Sequence, residues 1–357
     1  MNATLSTGHR PGLLSQTLRY PRNQWYVAAA AADVGRKPLH RRLLGNDIVL
    51  FRTEAGEPVA LSNWCPHRGF RFSDSKLIGD TIQCGYHGMR FGPSGECVHV
   101  PSQTSIPGKM AVAKFQLVER RSFIWIWLGE PDKCDAALMP AELEFEGPGH
   151  ASGYVGTLEI AANAAVALEN TIDITHASLL HPGILDSENW ELMTTHDEVE
   201  VIQPTVIQTT KRFGKIQVKG YLAENMGVHE GGFVDRVRIS REYLPALHTS
   251  IDVYYDVQDC SRVLARRIRY VGITPKDDRS CYLVAAYSST HEYSAKALAL
   301  ALDTLKQDVI ALESTQAAYE ESGDRFLEYS VKADRSALMA RRIIAKLAAA
   351  EGPMSDA

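Results

Sequence analysis

The rhythm of apolar and polar positions changes along the chain. Between about Trp25 and Gly129, apolar residues come in short runs cut by turn formers. Asp47 to Arg52 (DIVLFR) and Pro58 to Trp64 (PVALSNW) flank a Glu-Ala-Gly-Glu turn. Phe123 to Leu128 (FIWIWL) stops at Gly129-Glu130-Pro131. Runs of this length, bounded by glycine and proline, predict strands, so this part reads as a small all-β domain. Asp132 to His150, with Pro140, Gly147, Pro148 and Gly149, reads as a linker. A helical stretch is expected from roughly Ala161 to Leu180. A region rich in Val, Ile, Thr and Tyr, from about Glu198 to Ser289, predicts a sheet. From near Ser294, Leu298, Leu302, Leu305, Val309 and Leu312 recur at spacings of four and three, the stripe of an amphipathic helix packed on something. A last helix is expected over Ser336 to Ala349, then a disordered tail. The resulting division is residues 20–135, an all-β domain; 136–350, an α+β domain of sheet and helices; and 351–357, the tail.

Composition narrows the function classes. The chain has 357 residues, 45% apolar and 23% charged, with a net charge of −5. That balance offers no electrostatic attraction for nucleic acid or an anionic membrane. No apolar run nears the roughly 18 residues of a membrane span, and residues 1–16 lack the apolar core of a secretory signal. The cytoplasm is the expected compartment. Six cysteines are present: Cys65, Cys84, Cys97, Cys134, Cys260 and Cys281. In a cytoplasmic chain of this size, cysteines beside histidines read as metal ligands rather than disulfides. Only Cys65 and Cys84 have histidines at ligand spacing, and the other four are expected to be buried small apolar residues.

Cys65, His67, Cys84 and His87 form the pattern C-x-H-x16-C-x2-H. A Rieske centre uses two thiolates on one iron and two imidazoles on the other of a [2Fe–2S] cluster. One cysteine and one histidine on each of two loops supply that set, and each loop follows a predicted strand. Gly69, Gly85 and Gly88 allow backbone to come close to a cluster. The competing reading is structural zinc, although zinc sites usually pair C-x2-4-C with H-x3-5-H; a chance cluster is the third.

A second group lies in ENTIDITHASLLHPG: Asn170, Asp173, His176 and His181. Non-haem Fe(II) oxygenases need two histidines and one carboxylate on one face of the metal. Five residues of regular helix rotate by roughly 140°, so His176 and His181 can share a metal only if the helix ends or bulges between them. Pro182 and Gly183 suit a nearby helix end. The bland alternative is that these histidines cap and pack a helix end. A carboxylate must come from further along: Asp303, Asp308 and Glu313 lie on the late helix. Helical phase removes Asp303 and does not choose between the other two.

Cys65 to Gln103, CPHRGFRFSDSKLIGDTIQCGYHGMRFGPSGECVHVPSQ, resembles the Rieske domain of ring-hydroxylating and demethylating oxygenases, with similarity from about Trp25 to Pro131. Met89 stands where many ring dioxygenases carry Trp, as in the vanillate demethylase branch. N-x2-D-x2-H-x4-H resembles the iron-site segment of that family. QDVIALESTQ resembles its E-D-x4-E-x-x-Q box, with Gln307 in place of the usual Glu. The resemblance implies an N-terminal all-β Rieske domain followed by an α+β helix-grip catalytic domain. It further implies a [2Fe–2S] cluster on Cys65, His67, Cys84 and His87 and a mononuclear Fe(II) on His176, His181 and Asp308. Asp173 would bridge His176 to His87 of a neighbouring subunit in a head-to-tail homotrimer, and Asn170 would sit beside the iron without binding it.

Implied too is a monooxygenase using O2 on a small aromatic substrate, with electrons from a separate reductase or ferredoxin. Oxidative O-demethylation of an aromatic methyl ether is the expected reaction; ring hydroxylation and oxidation of N-methyl or aryl-methyl groups are alternatives within the family. From other classes, a Rieske electron carrier would need one of His176, His181 or Asp308 to be missing, and a zinc-stabilised binding module would be revealed by metal analysis. Asn225 to Phe233 is glycine-rich, a possible lid in which His229 reads as an exposed loop residue.

Overall fold

The chain is described from a computed structural model covering residues 10–11, 19–140, 149–182, 198–218, 223 and 229–352. Its contacts divide it into two units. One comprises residues 22–143 with the short return segment 274–277, and the other comprises residues 1–21, 144–273 and 278–357.

Three small antiparallel sheets make the first unit. β1 (Trp25–Ala30), β9 (Leu117–Arg120) and β10 (Phe123–Trp127) join in the order β9-β10-β1. Both β1 and β10 are buried along their whole length, which is why FIWIWL shows no alternation: a strand covered on both faces is apolar at every position. β2 (Leu39–Leu43), β3 (Asn46–Arg52) and β4 (Pro58–Ser62) pair consecutively. So do β5 (Lys76–Ile78), β6 (Thr81–Gln83), β7 (Arg90–Phe91) and β8 (Cys97–His99). A core of Val49, Phe51, Leu61, Phe72, Ile82 and Phe91 lies against Cys65 and Cys84. The segment 274–277 is tied on by Leu44 N–H to Pro275 O (2.9 Å) and Gly45 N–H to Lys276 O (2.8 Å).

The second unit is built on a seven-stranded antiparallel sheet. Its strands are β11 (Ala151–Ile160), β12 (Glu198–Gln203), β13 (Val206–Gln217), β14 (Phe233–Tyr243), β15 (Leu247–Asp256), β16 (Val263–Pro275) and β17 (Cys281–Ser289). They run in the order β11-β17-β16-β15-β14-β13-β12. Among the described residues its named helices are α1 (Ala164–Ile172), the single turn α2 (Ala177–Leu180), α3 (Ala295–Ser322) and α4 (Arg335–Ala350). Ser294 caps α3 by accepting from Ala297 N–H at 3.2 Å, satisfying one of the orphan donors of a helix start. α3 lies so near β11 that a Cβ on Gly156 would fall 2.6 Å from Leu302 Cδ1. The α3 stripe meets the core formed by α1, α4 and the sheet.

The structure corrects the sequence reading in three places. The helix expected over 161–180 is two helices, because Asp173 is extended (ψ 121°) and its carboxylate accepts from Thr175 N–H (2.8 Å) and Thr175 Oγ1–H (2.9 Å). Such a local side-chain turn competes with helical hydrogen bonding. β11 has no counterpart in the sequence reading. Of the four cysteines expected to be buried, Cys97 and Cys281 are, whereas Cys134 is half-buried and Cys260 exposed; both sit in loops outside the cores. The tail from 353 on and positions 225–228 of the glycine-rich segment lie outside the described residues; His229 is exposed. Among the described residues no helix is long and apolar enough to cross a membrane.

Candidate metal centres

Two loops of the first unit carry the four residues of the first centre, and their backbones close in the same way. Cys65 N–H donates to Phe70 O (2.9 Å) and Gly69 N–H to Cys65 O (2.9 Å). In the second loop Cys84 N–H donates to Met89 O (2.8 Å) and Gly88 N–H to Cys84 O (3.0 Å). Each cysteine therefore bonds to the residues four and five places on. Gly69 (φ 68°) and Gly88 (φ 73°) take the left-handed conformation this closure requires, which a side chain would resist. The histidine falls two residues after the first cysteine and three after the second, so the loops differ only in where the imidazole leaves.

Cys65 and Cys84 are buried as free thiols. The His67 and His87 rings lie edge to face with centroids 4.5 Å apart, and exposed Tyr86 covers His87 at 3.8 Å. Burial pushes the Cys65 thiol up to about 11; Cys84 adds to this, while the N–H groups of His67 and Arg68 oppose it. His67 Nδ1 is buried without a hydrogen-bond partner. A buried orphan nitrogen costs free energy unless something binds it, so two thiols and two imidazoles on paired loops fit a [2Fe–2S] cluster of the two-Cys, two-His kind.

The second centre draws on α2 and α3. His176 is the residue just before α2 and His181 the residue just after it. The interruption expected between the histidines thus falls on either side of one turn, and both rings escape the divergence of a continuous helix. His176 Nε2 lies 3.3 Å, and His181 Nε2 3.2 Å, from Asp308 Oδ1. One ligand atom from each residue falls within 4.8 Å of the others, a separation one ion can span. Asn170 Nδ2 donates to Asp308 Oδ1 at 3.4 Å.

Gln307 Oε1 meets His181 Nδ1 at 2.9 Å, so the residue that departs from the family box orients a ring. Asp173 Oδ2 stands 3.8 Å from His176 Nδ1, too far for a hydrogen bond. The other two candidate carboxylates lie elsewhere: Asp303 pairs with Lys306 at 3.1 Å, and Glu313 accepts from Ala161 N–H at 3.0 Å.

The charges at this centre are strongly coupled. Burial alone would raise the Asp308 pKa, but the two imidazoles bring it down to about 2. Burial would likewise lower that of His176, yet Asp173 and Asp308 lift it to about 9. An Asp⁻ against a His⁺ is the pairing a divalent cation replaces, displacing a proton as it binds.

A cavity of about 120 Å³ opens beside the triad, well above the roughly 10–15 Å³ one water needs, and gives room for a single ring. Val155 of β11, Leu283, Ala285 and Tyr287 of β17 and Leu305 of α3 supply apolar wall, whereas Lys211, Arg238, Arg267 and Arg269 line it from β13, β14 and β16. Asp252, fully buried, accepts from Arg236, Arg238 and Arg267. Glu242 Oε1 and Oε2 each lie 2.8 Å from His248 Nδ1. None of these sheet residues was picked out from sequence. The available signal was the i, i+2 placement of Arg236 and Arg238 in β14, and of Arg267 and Arg269 in β16.

Residues 24–116 match the model of the Rieske [2Fe-2S] domain, and residues 160–350 match that of the vanillate O-demethylase oxygenase C-terminal domain. The chain is 36% identical over 235 residues to a putative toluene-4-sulfonate monooxygenase system iron-sulfur subunit of Comamonas testosteroni. That alignment takes in 63% of this chain and 64% of the relative, just under two thirds of its length. A vanillate O-demethylase oxygenase subunit of Pseudomonas sp. (strain HR199 / DSM 7063) is 27% identical over 357 residues, covering 95% of this chain and 98% of that one. Among solved structures, dicamba monooxygenase with non-heme iron and dicamba superposes with a TM-score of 0.76 at 25% identity, covering 92% of this chain and 98% of that one.

Proposed function

Because the chain belongs to the family that joins a Rieske [2Fe–2S] domain to a vanillate O-demethylase-type C-terminal domain, we propose that it is the oxygenase component of a monooxygenase system acting on a small aromatic substrate. The reaction is oxidative O-demethylation. An aryl methyl ether, O2, two electrons and two protons give a phenol, formaldehyde and water, by way of a hemiacetal. The observation that carries this reading is the convergence of His176, His181 and Asp308 on the wall of a cavity with room for a single ring.

Cys65, His67, Cys84 and His87 hold the [2Fe–2S] cluster, and His176, His181 and Asp308 hold a mononuclear Fe(II). These groups, when bound, supply electron relay and O2 activation. Gln307 fixes the tautomer and angle of His181; Asn170 steadies the Asp308 carboxylate. Asp173, tied to Thr175, faces His176 and is available to His87 of a neighbouring subunit in a homotrimer. Electrons come from a separate reductase or ferredoxin in the cytoplasm.

Metal content and the visible spectrum test this, followed by O2 uptake with an electron donor and candidate aryl methyl ethers. About three irons per chain, broad visible absorbance bleached by reduction, and formaldehyde release are expected. Two irons and no O2 uptake after adding Fe(II) would leave an electron carrier; a colourless zinc protein would remove the reading altogether.

A further inference from the structure

α1 and α3 are tied together near both ends of α1, and the two ties fall in reverse order along the two helices. Near the C-terminal end of α1, Asn170 Nδ2 donates to Asp308 Oδ1 at 3.4 Å. At its N-terminal end, Asn163 N–H donates to Gln316 Oε1 at 2.9 Å. The helices therefore run antiparallel. At a rise of about 1.5 Å per residue, Asn163 to Asn170 spans about 10 Å and Asp308 to Gln316 about 12 Å, so the two spans nearly match.

The tie at Gln316 is held from several sides. Asn163 and Gln316 are each 4% exposed. Asn163 Oδ1 accepts from Ala165 N–H (2.9 Å), capping α1, and from Tyr20 O–H (2.7 Å), while its Nδ2 donates to Asp278 O at 2.7 Å. Gln316 Nε2 donates to Glu320 Oε1 at 2.9 Å, which leaves Oε1 as the acceptor for Asn163. A fixed point on α1 thus meets a fixed point on α3. The apolar contact does less to set this alignment. α1 brings Ala164, Ala165 and Ala167 to the core it shares with Leu312 and Tyr319 of α3, and methyl groups make low ridges for a neighbouring helix to engage. Buried polar contacts specify register better than they add stability.

We propose that Gln316 is a positioning residue for the second centre: its hold on Asn163 sets how far α3 lies along α1, and so keeps Asp308 against His176 and His181. The tolerance is small. Asp308 Oδ1 stands 3.3 Å from His176 Nε2 and 3.2 Å from His181 Nε2. A slip of α3 by one residue would move it about 1.5 Å, beyond the roughly 0.5 Å within which such a constellation must be held. Glu313, one turn before Gln316, reaches the same joint through Ala161 N–H, but from an exposed position where water can replace it. The inference rests on the oxygenase reading only for the Fe(II) that the triad holds.

The test is Fe(II) affinity at the second centre, measured by chelator competition on the full chain with its cluster in place. Gln316→Met and Gln316→Ala remove the acceptor of the buried Asn163 N–H. Each should weaken Fe(II) binding about tenfold or more, with the cluster spectrum and far-ultraviolet dichroism unchanged. Either variant that folds decides the point. Gln316→Glu combined with Glu320→Gln exchanges the amide and the carboxylate, restores an acceptor, and should bring affinity back to within about threefold of the wild type. Ile344→Val, on α4 in the same core, lowers stability by trimming a methyl group and should leave Fe(II) affinity within about twofold. Affinity within about twofold of the wild type in the Gln316 variants, or an equal loss in Ile344→Val, would overturn the proposal. Fe(II) binding that responds to Gln316 without any O2 uptake by the wild type would sink the oxygenase reading and keep the positioning role. O2 uptake with aryl methyl ethers and an Fe(II) affinity indifferent to Gln316 would do the reverse.

Discussion

Cys65, His67, Cys84 and His87 all lie between positions 65 and 87, on two loops of small sheets, whereas His176, His181 and Asp308 come from a single helical turn and a helix far along the chain. The first centre is specified by local chain closure, two loops with the same pair of backbone hydrogen bonds. The second is specified by packing: α3 must dock at the right depth and rotation for Asp308 to face two rings. A local site can be read from spacing; a packed site becomes legible only when the fold is known, and its supporting residues are exposed to errors of register that the first escapes.

Four substitutions break or sharpen this contrast. Asp308→Ala should lower turnover by about 1,000-fold or more, because metal-assisted stabilisation is worth several kcal/mol. Iron should fall from about three to about two per chain, with the cluster spectrum kept. Retention of the third iron would show that another carboxylate holds it. Asp173→Asn should cut turnover about 10–100-fold with both metals in place; steady-state rates beside metal analysis read this, and full activity removes Asp173 as a bridge. Gln307→Leu takes away the partner of His181 Nδ1 and should weaken Fe(II) binding about tenfold, measured by chelator competition. Glu313→Ala, losing one exposed hydrogen bond to Ala161, should cost no more than about 1 kcal/mol in a denaturant melt and leave the iron count unchanged.

Much of the fold could be read in advance where one physical signal dominated. FIWIWL announced a strand, and the leucine stripe from near Ser294 announced an amphipathic helix. Three features resisted for definite reasons. The break at Asp173 depends on a side chain outcompeting the helix for the Thr175 N–H, which periodicity does not see. β11 contains Gly153 and Gly156, and Gly156 is there because Leu302 presses on it, a tertiary cause. The choice between Asp308 and Glu313 was beyond helical phase, because both flank the same stripe; the resemblance favoured Asp308, and the packing brings that residue against the histidines. The cationic residues on the sheet escaped notice because alternate arginines in a strand look like a solvated face until the cavity behind them is known.

The separation between α2 and α3 also sets an order of assembly. The cysteine loops need only their own small sheets, so they can close while the rest of the chain is still being synthesised, N-terminal end first. The His–His–Asp triad cannot exist until β12 to β17 have been laid down and α3 has brought Asp308 to the two rings, a contact between residues far apart in sequence. Iron held there, as we propose, would report that the second unit has folded, so loading of this centre would follow closure of the cysteine loops, and an iron–sulfur cluster could enter those loops while the catalytic half is still unmade.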